Sequence, residues 1–181
     1  MSANLSMRKH ALVTASIAAV VVAAIVLGFH SAGKAEGGGF FGPGTLKGDI
    51  NLVLEVVLVL GLTYGAYLAR SGRIEAHRVN QTTWVLVNTA LVIFIMAGSM
   101  KDVGFKNMGD LSDPRIAITW LHAIAGTLTA LAGLWLVLQM NDILPQSMHI
   151  TWWKKLMRMT LAGYWLVALG GFATYYYFYM G

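Results

Sequence analysis

The chain contains no cysteine, and only 12% of its 181 residues are charged. The absence of cysteine excludes disulfides, thiolate metal sites, iron–sulfur clusters and haem attached through a Cys-x-x-Cys-His motif within this chain. The scarcity of charge, beside an apolar content of 57%, excludes an ordinary water-soluble domain of this length. A metal or haem iron in this chain would therefore be bound by histidine, methionine, carboxylate or backbone groups.

A basic stripe and the common catalytic motifs are also missing. The thirteen lysines and arginines lie in short clusters beside apolar runs, which is typical of membrane-topology signals and argues against nucleic-acid binding. The sequence has no phosphate-binding glycine loop, no metalloprotease motif and no acyl-transfer nucleophile with its base. We therefore expect no independent catalytic activity.

Five apolar runs are each long enough to cross a lipid bilayer as a helix. At 1.5 Å of rise per residue, their seventeen to twenty-three residues extend about 25 to 35 Å, close to the thickness of the hydrocarbon core. We therefore predict an all-α, polytopic membrane helix bundle with five transmembrane helices. The runs are 11–29, 52–68, 84–100, 116–138 and 159–178.

The distribution of positive charge predicts the orientation of this bundle. Alternate sides of a five-span arrangement carry eight and five lysines and arginines, which favours a cytoplasmic N-terminus and an outer C-terminus. We expect the first run to be a retained helix, because its nineteen residues exceed the usual core of a signal peptide. Residues 1–50 then form one helix and a glycine-rich outer surface loop, and residues 51–181 form a four-helix core.

Two ionisable residues interrupt the predicted spans. Ionisable groups are costly in hydrocarbon, so Glu55 and His122 are candidate functional residues that should face the bundle interior. Counting inward at helical rise puts both about 5 to 10 Å below the outer surface, so we expect that they meet. Other polar or sulfur-containing residues that reach the same layer are Met96, Met100, Thr174 and Tyr175.

His122 has two interpretations. It is either an axial ligand of haem iron or another metal, or the donor of a hydrogen bond to Glu55 or a threonine of another helix. The small residues on the same helix allow either close helix packing or the approach of a flat cofactor. They are Ala123, Gly126, Ala130 and Gly133.

A second polar group is predicted at the inner surface. His77, Gln81, Trp84 and Asn88 share one helix face if the third helix begins near Ile74. The group is either a solvated helix start or a functional stripe, and Asn88 requires a partner within the span.

The other histidines fall on both sides of the membrane. His149 follows the fourth span and is close enough in depth to approach His77. His30 ends the first span, on the side of His122. At helical rise His77 and His122 are about 20 Å apart along the membrane normal, so one haem cannot join them.

Three stretches resemble the CtaM/YozB-like family of small bacterial membrane proteins. They are the Ile-Glu-Ala-His-Arg motif of residues 74–78, His122 within the next span, and the basic stretch 153–160 before the last span. The resemblance covers about 52–177 and implies a multi-pass protein of the bacterial cytoplasmic membrane. Some family members are linked to maturation of haem-copper oxidases. His77 and His122 match family histidines, whereas Trp153 stands where the family has a third histidine, for which His149 is a possible substitute.

Together these observations favour a haem-associated protein of the respiratory chain. As an electron-transfer subunit it would carry haem b with His122 as one axial ligand and His30, Met96 or Met100 as the other. As an oxidase-assembly factor it would bind haem weakly at His77 and His122 and pass it to a terminal oxidase or another large respiratory membrane complex.

Two further functions remain open. The chain is alternatively a non-enzymatic accessory subunit, in which Glu55, His122 and Asn88 only fasten the bundle. It is alternatively a copper-handling protein, since histidine and methionine together suit copper, although the methionines form no repeated Met-x-x-Met or His-x-Met pattern. The candidate metal-binding histidines are His77, His122 and His149.

Overall fold

The computed structural model describes residues 12–22, 24, 38–42, 44–96, 100, 103 and 108–180. Within these ranges the chain is helical and has no β-strand, so the predicted all-α class is confirmed. The helix Leu12–Val22 is α1, Leu46–Arg70 is α2, Ile74–Leu91 is α3, Pro114–Met140 is α4 and Trp153–Tyr179 is α5. A π-helical segment, Val92–Met96, continues α3, and the short 3₁₀ turns Met108–Ser112 and Gln146–Met148 precede α4 and α5.

Helices α2, α4 and α5 are long and apolar enough to cross a membrane. They contain the predicted spans 52–68, 116–138 and 159–178 and extend beyond them at both ends. The start of α3 is more polar, and α1 is described only over Leu12–Val22. The first and third predicted spans, the five-span topology and the orientation of the termini therefore stay predictions.

Four helices form a closed ring in which each packs against two neighbours, in the order α2, α3, α4, α5 and back to α2. The side chains inside the ring include Leu58, Val59, Val85 and Val137, and Ala19 of α1 packs against the same cluster. Leucines on the outside of the ring are more than half exposed, as expected for a surface that faces lipid. We call the two ends of the ring the Asp49 end, where α2 and α4 begin, and the Arg70 end, where α2 stops.

Close approach of α2 and α3 depends on two glycines one helical turn apart. The indole of Trp84 lies where a side chain at Gly61 would be, and the amides of Asn80 and Gln81 lie where one at Gly65 would be. A β-carbon at either position would require these groups to shift away from α2.

Polar side chains of α3 use this proximity to reach the backbone of α2. His77 Nδ1–H donates to the Gly65 carbonyl at 2.7 Å, and Asn80 Nδ2 donates to the Gly61 carbonyl at 2.8 Å. Gln81 Nε2 donates to the carbonyl of Leu62 at 3.1 Å. A carbonyl oxygen has two lone pairs, so it accepts these bonds in addition to its bond within the helix. The predicted polar stripe thus fastens α3 to α2 from its first turns.

Small residues of α4 pack against α5. A β-carbon at Gly126 would lie 3.6 Å from Val167 Cγ1 of α5, and the Tyr164 hydroxyl of α5 lies against Gly133. Ala130, between them, is buried. Gly126 and Gly133 thus pack against α5, while Ala123 and Gly126 also line the cavity described below, so both interpretations of this face stay open.

We predict that Gly61→Ala destabilises the bundle by about 1 to 3 kcal/mol, the usual effect of overpacking, because its methyl group would displace the Trp84 indole. Gly126→Ala is the matched control, since its methyl group would make only an ordinary contact with Val167. Thermal unfolding of the detergent-solubilised variants measures both effects. Equal melting temperatures for the two variants would contradict this account of the α2–α3 interface.

Candidate functional site

A partly open cavity of about 920 Å³ lies among the helices and reaches from the Asp49 end toward the middle of the bundle. This volume lies in the range of small-molecule and cofactor pockets. Most of the cavity wall is apolar. The polar and sulfur-containing residues predicted to share one layer do line it together, namely Glu55, Met96, Met100, His122, Thr174 and Tyr175.

The side chains of His122 and Glu55 lie next to each other in the cavity wall, as the depth count predicts. His122 Nε2 lies 3.8 Å from Glu55 Oε1. The other ring nitrogen, Nδ1, lies 3.0 Å from the carbonyl oxygen of Val167 on α5. Because a carbonyl only accepts hydrogen bonds, Nδ1 carries the proton and the ring is held with Nε2 directed at Glu55.

Glu55 and His122 both pack against two consecutive glycines of α5, Gly170 and Gly171. A β-carbon at Gly170 would lie 3.1 Å from His122 Nδ1, and one at Gly171 would collide with the Glu55 carboxylate. These glycines therefore let both side chains approach the α5 backbone. Sequence reasoning missed them because they stand inside an apolar run; the pair of adjacent glycines was the only signal.

Two buried oxygen atoms of the cavity have no hydrogen-bond partner among the residues that the structure describes. They are Glu55 Oε1 and Thr174 Oγ1. Buried polar atoms of native proteins are nearly always hydrogen-bonded, and an exception calls for an explanation such as strain, a bound water or ion, or a functional role. The cavity therefore combines a largely apolar wall with polar groups that are able to bind a ligand.

Asn88 belongs to this cavity and not to a separate inner layer, so that part of the sequence interpretation is wrong. Asn88 lines the cavity and its Nδ2 donates to the Tyr164 hydroxyl of α5 at 3.4 Å. The reason is geometric. Asn88 lies fourteen residues after Ile74, so helical rise carries it about 21 Å from the start of α3.

The two inner histidines have separate backbone partners. His77 is buried between α3 and α2 with its bond to Gly65, and His149 Nε2 bonds to the Leu144 carbonyl at 3.0 Å in the segment before α5. Neither lines the cavity. His30 lies outside the described residues. Within the described ranges no three histidine or acidic side chains converge in a way that would hold a metal ion.

A buried carboxylate fastens the loop at the Asp49 end. The Tyr175 hydroxyl donates to Asp49 Oδ1 at 2.5 Å, and the Phe41 amide donates to Asp49 Oδ2 at 2.7 Å. The Tyr179 hydroxyl lies 3.0 Å from Thr45 Oγ1, the residue that caps α2. From the sequence we expect residues 1–50 to form the first helix and its outer loop, and we did not single out Asp49, for which its place in the first turn of α2 was the available signal.

The π-helical segment is a second feature that sequence reasoning missed. Val92 and Met96, its first and last residues, both line the cavity. A π-helical turn inside a longer helix is often found at a functional site. No residue pattern in the apolar run 84–100 signals it.

Comparisons of the chain with known protein families, with curated proteins and with solved structures found no match. The resemblance to the CtaM/YozB-like family therefore stays a prediction based on its motifs. Function is inferred from the cavity and from the side chains that surround it.

We predict that Tyr175→Phe destabilises the fold by about 1.5 to 3 kcal/mol, because it removes a hydrogen bond to a buried carboxylate. The control is Tyr176→Phe, at an exposed neighbour whose hydroxyl makes no hydrogen bond in the described part of the chain. Unfolding free energies and hydrogen exchange of the Phe41 amide measure the effect. If Tyr175→Phe leaves both unchanged, Asp49 does not fasten the loop through this contact.

Proposed function

We propose that this chain is a haem-associated membrane protein of the respiratory chain and that His122 binds the haem iron. The observation that carries this proposal is the orientation of the His122 ring. Its Nδ1–H is held by the Val167 carbonyl and its Nε2 is directed at Glu55 Oε1, and both residues line the cavity. Histidines that bind metals are usually oriented in this way, with the second ring nitrogen donating to a carbonyl or carboxylate.

The side chains around the cavity are compatible with haem b. The wall is mainly apolar, and Met96 or Met100 would offer a thioether sulfur as a further ligand of the iron. Haem would supply one-electron transfer at its iron, while the chain would orient it and exclude water. Because Glu55 Oε1 lies in front of His122 Nε2, iron binding requires the Glu55 side chain to rotate away.

His77 has a structural role in this proposal. Its buried hydrogen bond to Gly65 joins α3 to α2, so its loss should weaken packing without removing an iron ligand.

The chain would lie in the bacterial cytoplasmic membrane with five spans and with the Arg70 end toward the cytoplasm, as the excess of positive charge predicts. Its partner would be a terminal oxidase or another large respiratory complex.

A second candidate function is a structural accessory subunit without a cofactor. The observation in its favour is that His122 and Asn88 each join a different helix to α5, through the Val167 carbonyl and the Tyr164 hydroxyl. In that case the polar residues of the cavity would only fasten the bundle, and the chain would act by docking to a larger complex.

The haem proposal predicts b-type bands in the reduced-minus-oxidised absorption spectrum of the purified protein. His122→Ala should remove the bands, because it removes the residue proposed to bind the iron. His77→Ala and His149→Ala should retain them, since neither residue lines the cavity. Circular dichroism of each variant checks that the helices are retained.

The outcomes separate the candidates. A folded wild-type protein that takes up no haem, even when haem is added, would contradict the proposal and favour the accessory subunit. Bands that persist in His122→Ala and vanish in His77→Ala would contradict the assignment of the ligand. Haem that is lost during purification and restored by addition would support an assembly factor over an electron carrier.

A further inference from the structure

The lipid-facing side of the contact between α2 and α5 has a defined register. Trp165 Nε1 donates to Thr63 Oγ1 at 3.1 Å, on the exposed side of the two helices. The helices run antiparallel, since Asp49 near the start of α2 bonds to Tyr175 near the end of α5. We call this exposed contact line the α2–α5 seam.

Two arginines flank the seam at the Arg70 end. Arg70 follows Thr63 by seven residues on α2, and Arg158 precedes Trp165 by seven residues on α5. Seven residues are close to two helical turns, so each arginine lies on the same face as its seam residue and about 10 Å nearer the Arg70 end. The antiparallel register therefore brings Arg70 and Arg158 to the same level on either side of the seam.

Both arginines are exposed, and neither guanidinium has a hydrogen bond or ion pair among the residues that the structure describes. Two further exposed cations, Lys154 and Lys155, begin α5 nearby. At the same end Glu75 is already paired with Arg78. The seam thus ends in a cluster of positive charge at the level where a membrane helix meets the lipid headgroups.

The rest of the seam is apolar and open to lipid. Leu60 and Tyr67 continue the α2 side, and Leu169 continues the α5 side; their exposed fractions are 54%, 62% and 60%. Arg158 and Leu169 are eleven residues apart, about 16 Å at helical rise. That distance is close to half of a 30 Å hydrocarbon core, which is the depth that one lipid acyl chain fills.

We propose that the α2–α5 seam binds one phospholipid with an anionic headgroup. Arg70 and Arg158 would hold the phosphate, for which the planar guanidinium offers paired donors. The acyl chains would lie along Leu60, Tyr67 and Leu169. The neighbouring lysines select an anionic headgroup, because they repel the cationic amine of a zwitterionic one. This site is separate from the cavity and does not depend on the proposed function.

Native mass spectrometry of the detergent-solubilised full chain tests the proposal with phosphatidylglycerol and phosphatidylcholine of the same acyl chains. The wild type should retain phosphatidylglycerol in preference to phosphatidylcholine. Arg70→Gln and Arg158→Gln should each weaken that binding about fivefold, and the double variant about thirtyfold, as expected for the loss of one and two surface cations. Lys47→Gln is the matched control, since it removes one charge from α2 at the opposite end.

Two additional measurements separate the contribution of the guanidinium groups from that of charge alone, and lipid binding from phosphate binding. The Arg70→Lys, Arg158→Lys double variant keeps the charge but loses the paired donors, so its binding should fall between wild type and the double glutamine variant. Excess inorganic phosphate should displace little of the lipid, because the acyl chains contribute to binding. Equal retention of the two lipids by wild type, full displacement by phosphate, or equal losses in Lys47→Gln and Arg158→Gln would each overturn the proposal.

Discussion

The bond from a polar side chain of one helix to a backbone carbonyl of the next is the interaction on which this bundle depends. Hydrocarbon offers polar groups no partner, so each must be satisfied within the protein. His122 meets this requirement at Val167 on α5, and His77 meets it at Gly65 on α2. In both cases a helix carbonyl that already accepts one bond accepts a second.

Such bonds require the two helix backbones to come close together, and this links the polar residues to the glycines. Gly61 and Gly65 let α3 side chains reach α2, and Gly170 and Gly171 let His122 and Glu55 reach α5. At the first pair, polar side chains of α3 are hydrogen-bonded to the backbone of α2. The second pair leaves Glu55 Oε1 beside His122 without a hydrogen bond at a cavity, which makes it the place where binding to a ligand is expected.

The parts of the structure that depend on helical rise were predictable from the sequence. Long apolar runs predict α2, α4 and α5, and depth alone predicts that Glu55 meets His122. The parts that depend on which face meets which neighbour were not predictable. Asn88 was assigned to the wrong layer, and the Asp49–Tyr175 contact joins residues far apart in sequence whose pairing follows only from the antiparallel packing of α2 and α5. That Arg70 and Arg158 lie at the same level on either side of the α2–α5 seam likewise follows from this antiparallel packing.

The Val167 carbonyl holds His122 with its proton on Nδ1, so that Nε2 is able to bind a ligand once the Glu55 side chain rotates away. Nitrogen-15 magnetic resonance of the histidine-labelled protein in lipid, assigned with the His122→Ala variant, tests this directly. The account predicts a protonated Nδ1 on His122. A neutral ring with a bare Nδ1 and its proton on Nε2 would contradict it, because Nε2 would then be unable to bind a metal and the contact with Val167 would not exist.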